Sequence, residues 1–188
     1  QKTSTINLKI NQKNQKTVKR TQEIINIFLK ENNKLLKEKR KIQEEIRKAE
    51  VEGEIQTIQS KIDAELRFRQ NQSLDIEFIK EGNRVDLSLY NKLLDEKQKL
   101  QNKQVRESTE FQIKQLENEQ KEFEKFLDTN VEAQKLTDSE RKVLLIESEK
   151  NLMSKIDLLR IEENNQYKNI QQEKVDASNF KSYDELST

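Results

Sequence analysis

From Val18 to Leu66 almost fifty residues pass with no Pro and a single Gly, and apolar side chains return at steps of three and four. Val18, Ile25, Phe28, Leu35, Ile42, Ile46 and Ala49 mark this stripe, with Thr21, Asn32 and Lys39 in its remaining places. Such spacing puts the marked residues on one narrow line along a helix, the pattern by which two or more helices wind together. The flanks of the line are charged or amide, so the sequence predicts a long coiled-coil helix and leaves little for a globular core.

Composition supports that reading. Over 188 residues only 31% are hydrophobic and 38% are charged. Scattered residues in that proportion bury too little apolar surface to offset the entropy of ordering a chain. Here they are periodic and Pro is absent, and a helix needs only one apolar stripe, so the expected class is all-α with long coiled-coil helices. The absence of Cys removes disulfides and thiol nucleophiles, and the absence of His removes the usual base near neutral pH and the commonest zinc ligand. Gly53 and Gly82 lie too far apart for a phosphate-cradling loop. Acidic neighbours such as Glu44-Glu45, Asp95-Glu96 and Glu162-Glu163 read as solvated helix faces rather than cation sites. The chain is therefore read as no enzyme, with no catalytic or metal site, no cofactor and no small-molecule substrate. No apolar run is long enough to span a bilayer, the longest cluster, Ile24 to Leu29, being interrupted by Asn26. A start at Gln1 rather than Met reads as a fragment or processed product, and localisation is open between a virion and the cytoplasm.

The chain divides into five parts. Ile6-Asn7-Leu8-Lys9-Ile10-Asn11 alternates with a period of two, so residues 1–11 read as an extended leader. A long basic-to-acidic helix follows over 12–81. Its seam changes register at Gly53, moving to Val51, Ile55, Ile58, Ile62 and Leu66, and predicts a local unwinding or bend. Gln70-Asn71-Gln72-Ser73 is a second weak place. Gly82-Asn83 supplies the left-handed backbone of a turn near 82–86, and Asp86 or Ser88 caps a second helix over 86–128, whose seam includes Leu100, Ile113, Leu116, Phe123 and Leu127. After a turn near 129–137, Thr137-Asp138-Ser139-Glu140 is a capping box for a third helix over 137–175. Leu145, Leu152, Ile156, Leu159, Tyr167 and Ile170 form its stripe, with Glu149 and Glu163 breaking it. Residues 176–188 read as a tail or linker.

The formal net charge of +1 conceals a strong asymmetry: residues 1–41 hold twelve Lys or Arg against three acids, a local charge of +9, which leaves −8 for the remainder. Lys34, Lys37, Lys39, Arg40 and Lys41 are the candidate contacts for an anionic partner. Pairing with acids of the same chain or of another copy is the alternative use of that charge. No aromatic residue interrupts the run Lys34 to Lys41, so any nucleic-acid binding is expected to be weak, insensitive to base sequence and sensitive to salt.

The restarts Gly82-Asn83-Arg84-Val85-Asp86-Leu87-Ser88-Leu89-Tyr90 and Leu136-Thr137-Asp138-Ser139-Glu140, between long Lys/Glu/Gln-rich helices, resemble the helical portions of phage tail tape measure proteins over most of residues 12–175. The resemblance implies a virion or tail component that fixes distance. The membrane-active apolar stretch usual in that family has no counterpart here, so the chain would correspond to a piece of such a protein. The expected function is a structural coiled-coil protein, a rod-like spacer or assembly scaffold that associates with itself or with other proteins. The alternative is a binding module whose basic first helix docks on nucleic acid or an acidic surface.

Overall fold

A computed structural model describes the backbone of residues 2–179 and, within it, the side chains of residues 12–30 and 36–179. The described chain is all-α and contains no strand. Three long helices, α1 (Lys2–Leu74), α3 (Ser88–Thr129) and α5 (Asp138–Ser178), are joined through two short ones, α2 (Ile76–Lys80) and α4 (Val131–Gln134).

Residues 2–11 are helical, not extended. The alternation there covers only six residues, and with no breaker before Leu74 a helix already formed adds each residue for one further hydrogen bond. Gly53 likewise neither unwinds nor ends α1. A single Gly costs about 1 kcal/mol against Ala, too little to break an otherwise continuous helix. The break falls at Asp75, seven residues before Gly82. The Asp75 backbone is extended (φ −77°, ψ 107°), and its carboxylate accepts from the amides of Glu77 at 3.0 Å and Phe78 at 3.2 Å, which starts α2. Gly82 follows with φ +77°, the left-handed backbone expected of it. Asp86 accepts from the Ser88 amide at 2.9 Å and hydroxyl at 2.6 Å where α3 begins. Those two bonds, the hydroxyl first, hold its carboxyl below the usual range.

The second break repeats the device: Asn130 accepts from the amides of Glu132 at 3.0 Å and Ala133 at 3.2 Å, starting α4. At α5 the Thr137 hydroxyl accepts from the Glu140 amide at 3.2 Å and donates to the Glu140 carboxylate at 3.1 Å. α5 runs to Ser178, past the 175 expected for it. The expected tail lies, from residue 180 onward, outside the described residues.

The chain separates into two units, each built from part of every long helix. Unit 1 comprises Gln1–Gln43 and Phe111–Leu159. Its core is Ile24 of α1, Phe123, Phe126 and Leu127 of α3, Ala133 and Leu136 of the α3–α5 corner, and Leu144 of α5. Phe28 packs its ring at 5.2 Å from Phe123 and 5.4 Å from Phe126, within the range where aromatic pairs attract. Arg141 closes the corner by donating to the Leu127 carbonyl and, at 2.8 Å, to Asp128, a cation at the end of α3 where the helix dipole favours one.

Unit 2 comprises Glu44–Glu110 and Arg160–Thr188. Ile58 and Ile62 of α1 pack with Tyr90, Leu93 and Leu94 of α3, with Leu66, Leu100 and Ala177 at the margin. The Tyr90 hydroxyl donates to the Ala177 carbonyl at 2.6 Å, and Lys174 pairs with Asp95, tying α5 to α3. Glu163, expected to disturb its stripe, is indeed buried, but Arg160 and the Tyr167 hydroxyl both donate to it at 2.9 Å. A buried carboxylate with two such donors avoids most of the cost of an unpaired charge. Glu149 is exposed.

Candidate functional site

Each unit has one cleft in which described polar side chains meet apolar ones. The cleft of unit 1, about 170 Å³, is lined chiefly by Phe28, Leu116, Phe123 and Leu152; its polar lining is Asn151, Lys155, Glu119, which pairs with Arg40, and Gln120, which donates to Ser148 at 2.8 Å. The cleft of unit 2, about 310 Å³, holds Asp63, Tyr90, Lys97 and Asp176 beside Ile62, Leu66 and Leu94, and Asp176 accepts from Gln172 at 2.8 Å. Asp63 accepts from Gln59 at 2.8 Å, and Tyr90 is committed to Ala177. Burial, and then the Asp63 charge, push the Tyr90 hydroxyl upward, away from the range of a base. Among the described residues no group of three or more His, Cys, Asp or Glu is placed to hold a metal, and no helix is long and apolar enough to cross a membrane.

The candidate function therefore rests on surfaces, and the seam residues fall into three groups. Ile58, Ile62, Phe123 and Leu127 are buried in their units. Ile25, Phe28, Ile55, Ile113, Leu116, Leu152, Ile156 and Leu159 are half-buried. Val18, Ile42 and Ile46 face solvent, at 67%, 57% and 58% exposed, so the first stripe is gathered only in part: Ile25 and Phe28 pack against the unit 1 core and these three do not. The Leu35 side chain lies outside the described ones, as do those of Asn32 and Lys34. The register change near Gly53 marks a change in burial: Ile42, Ile46 and Ala49 are exposed, whereas Val51, two residues before Gly53, and Ile55, Ile58, Ile62 and Leu66 after it are half-buried or buried.

The basic candidates divide too. Lys37, Lys39 and Lys41 are exposed, but Arg40 is half-buried and forms an ion pair with Glu119 of α3 within unit 1. A cation paired with an acid of its own unit is a weaker contact for an outside anion, because that pair must first be broken. Exposed Lys13, Lys16 and Lys19 are better placed, since no acid precedes Glu23. In sequence the Lys34 to Lys41 run is denser and so more conspicuous, although the lack of acids around Lys13, Lys16 and Lys19 is readable there too.

A second surface was not foreseen. At the α1–α3 corner of unit 2, Phe68, Leu74, Ile76, Ile79 and Leu89 are 55%, 44%, 58%, 44% and 47% exposed, and α2 buries none of its residues. The available signal was Asp75, a capping residue ahead of Ile76 and Ile79, which share one face of a helical turn. No family model, curated protein or solved structure matches the chain.

Proposed function

We propose that the chain is a structural coiled-coil protein acting as a rod-like spacer or assembly scaffold, with virion tails as one setting in which such a part is used. The observation that carries this reading is the placement of apolar side chains along α1: the same helix that buries Ile24, Ile58 and Ile62 presents Val18, Ile42 and Ile46 outward. Exposed large apolar residues recurring on a long charged helix are what an assembling protein needs and a solitary one does without. The mechanism is geometric: helix length sets spacing, and the outward apolar residues select partners.

Light scattering and sedimentation of the full chain, with circular dichroism, test the proposal. The expected result is a helical chain whose mass rises with concentration. A helical monomer at every concentration and salt overturns it.

The exposed Lys13, Lys16 and Lys19, in a stretch without acids, favour a second reading: a module that docks its basic helix on an anionic polymer. That reading expects retention on duplex DNA at low salt that disappears by about 0.2 M, where screening is strong. Retention equal to that of a neutral coiled coil removes it.

A further inference from the structure

We propose that α5 carries a second apolar face, turned outward, on which another copy of the chain docks through the same face, antiparallel, to form a closed twofold dimer. The inference rests on the self-assembly reading above and supplies its surface and register.

α5 is apolar on two sides. Leu152, Ile156 and Leu159 are half-buried and Ile170 is buried, all on one side of the helix. On the other side Val143, Ile146, Met153, Leu158 and Ile161 are exposed, from 44% for Ile146 to 65% for Leu158. At about 100° per residue Val143, Ile146, Met153 and Ile161 fall within an arc of about 80°, with Leu158 at its margin. Lys150 and Asp157 lie in the same arc, are exposed, and have no hydrogen-bond or ion-pair partner among the described residues. All of these positions belong to one continuous helix, so their spacing is that of the helix alone. Packing within the chain needs a single apolar stripe, and the second one is left for a partner.

The order of residues along this face identifies the partner. Two copies of α5 set antiparallel about a twofold axis between Met153 and Ser154 bring Ile146 level with Ile161, Lys150 with Asp157 and Glu147 with Arg160, each pair made twice. Over the whole overlap, residues 138–169, no two like charges come level. Arg160 already donates to Glu163, so the ion pair gained at the centre of the face is Lys150 with Asp157. A parallel pair in register would instead set Lys150 on Lys150 and Asp157 on Asp157, which like-charge repulsion disfavours. Residues 142–168 hold five Lys or Arg against five acids, so the stretch is neutral and offers no general attraction to a polyanion or an anionic lipid surface. What it matches is its own reverse.

Charge reversals in the full chain test this by sedimentation velocity, with the wild type expected to associate to a dimer. Lys150→Asp sets acid against acid twice and Asp157→Lys sets base against base twice, so each alone is expected to weaken association by at least about tenfold. An equimolar mixture of the two is expected to recover it as a one-to-one heterodimer, and the double swap to recover it within one chain. Both positions are exposed, and circular dichroism checks that each variant keeps its helix content. The chain has no Cys, so an introduced one reports register. Met153→Cys is expected to oxidise to a linked dimer, whereas Ile146→Cys, about 22 Å from its own counterpart, is expected to link only to Ile161→Cys. Reversals that associate at wild-type strength, a mixture no stronger than its components, or self-linking of Ile146→Cys overturns the α5 pairing while leaving self-assembly standing. A wild-type chain that is monomeric throughout overturns both.

Discussion

The two corners of this molecule are made by the same local device and meet opposite fates. Asp75 and Asn130 each sit in extended backbone and accept from the amides two and three residues on, and each starts a short helix that ends in a right-handed cap. α4, with the sequence Val-Glu-Ala-Gln, is the less apolar of the two, yet Ala133 is fully enclosed and Leu136 just beyond it joins the unit 1 core. α2, with Ile-Glu-Phe-Ile-Lys, is the more apolar and has no fully buried residue, Phe78 being half-buried. Capping thus decides where a short helix forms, and the shape of the surface beneath decides whether it is buried. Ala133 belongs to the same buried cluster as Phe126 and Leu127, where a larger side chain would have to displace its neighbours.

The contrast can be broken most sharply with matched truncations. Leu136→Ala removes a buried side chain at the unit 1 corner and should cost about 3 kcal/mol, whereas Ile79→Ala at the unit 2 corner should change stability by no more than about 0.5 kcal/mol. Urea unfolding followed by circular dichroism measures both, and equal losses would mean that the two corners are packed alike. Filling tests fit in the same way. Ala133→Leu should destabilise by about 2 kcal/mol through overpacking, while Ile76→Leu should be close to neutral by the same measurement.

The caps should separate the corners more gently. Asn130→Ala is expected to cost about 1 kcal/mol of global stability, because the helix it starts is part of a core. Asp75→Ala should instead speed amide exchange within 76–80 without shifting the unfolding midpoint. A shift as large as that of Asn130→Ala would show that α2 carries stability after all.

The smallest effect concerns pH. Both described tyrosines lie in unit 2, and both have hydroxyls pushed above the ordinary value of 10.0, Tyr90 by burial and then the Asp63 charge, Tyr167 by burial and then its hydrogen bond to Glu163. A raised acid holds its proton better when folded, so this stability is whole below pH 10 and shrinks as pH climbs through 10 toward the folded value. Alkaline loosening read by amide exchange should begin in unit 2, and Tyr90→Phe should reduce it. Loosening that begins in unit 1 would contradict the assignment.

What could be read from the sequence follows from how local each cause is. The all-α class, the turn at Gly82 and the Thr137 start depend on a few adjacent residues, and those residues are present. Asp75 and Asn130 have the same status but were passed over as single polar residues, so α2 and α4 went unread. Burial along α1 was not legible. Ile42 and Ile58 are the same residue type on similar stripes, and what separates them is whether an apolar side chain of α3 stands opposite, which depends on how the three helices pair. The helical leader has a different reason, since six alternating residues say less than the absence of Pro from the rest of α1, out to Leu74.

The exposed turn after α2 has one further consequence, for the covalent chain itself. Lys80 and Arg84 flank Gly82 there, and cleavage beside either would sever the backbone without entering a long helix. The core of unit 2 draws Ile58 and Ile62 from one side of such a cut and Tyr90, Leu93 and Leu94 from the other, so the two pieces should stay together under native conditions and part only in denaturant. At this point the protein's architecture does not depend on its being one continuous chain, which makes the turn the natural place to insert a tag or a second domain.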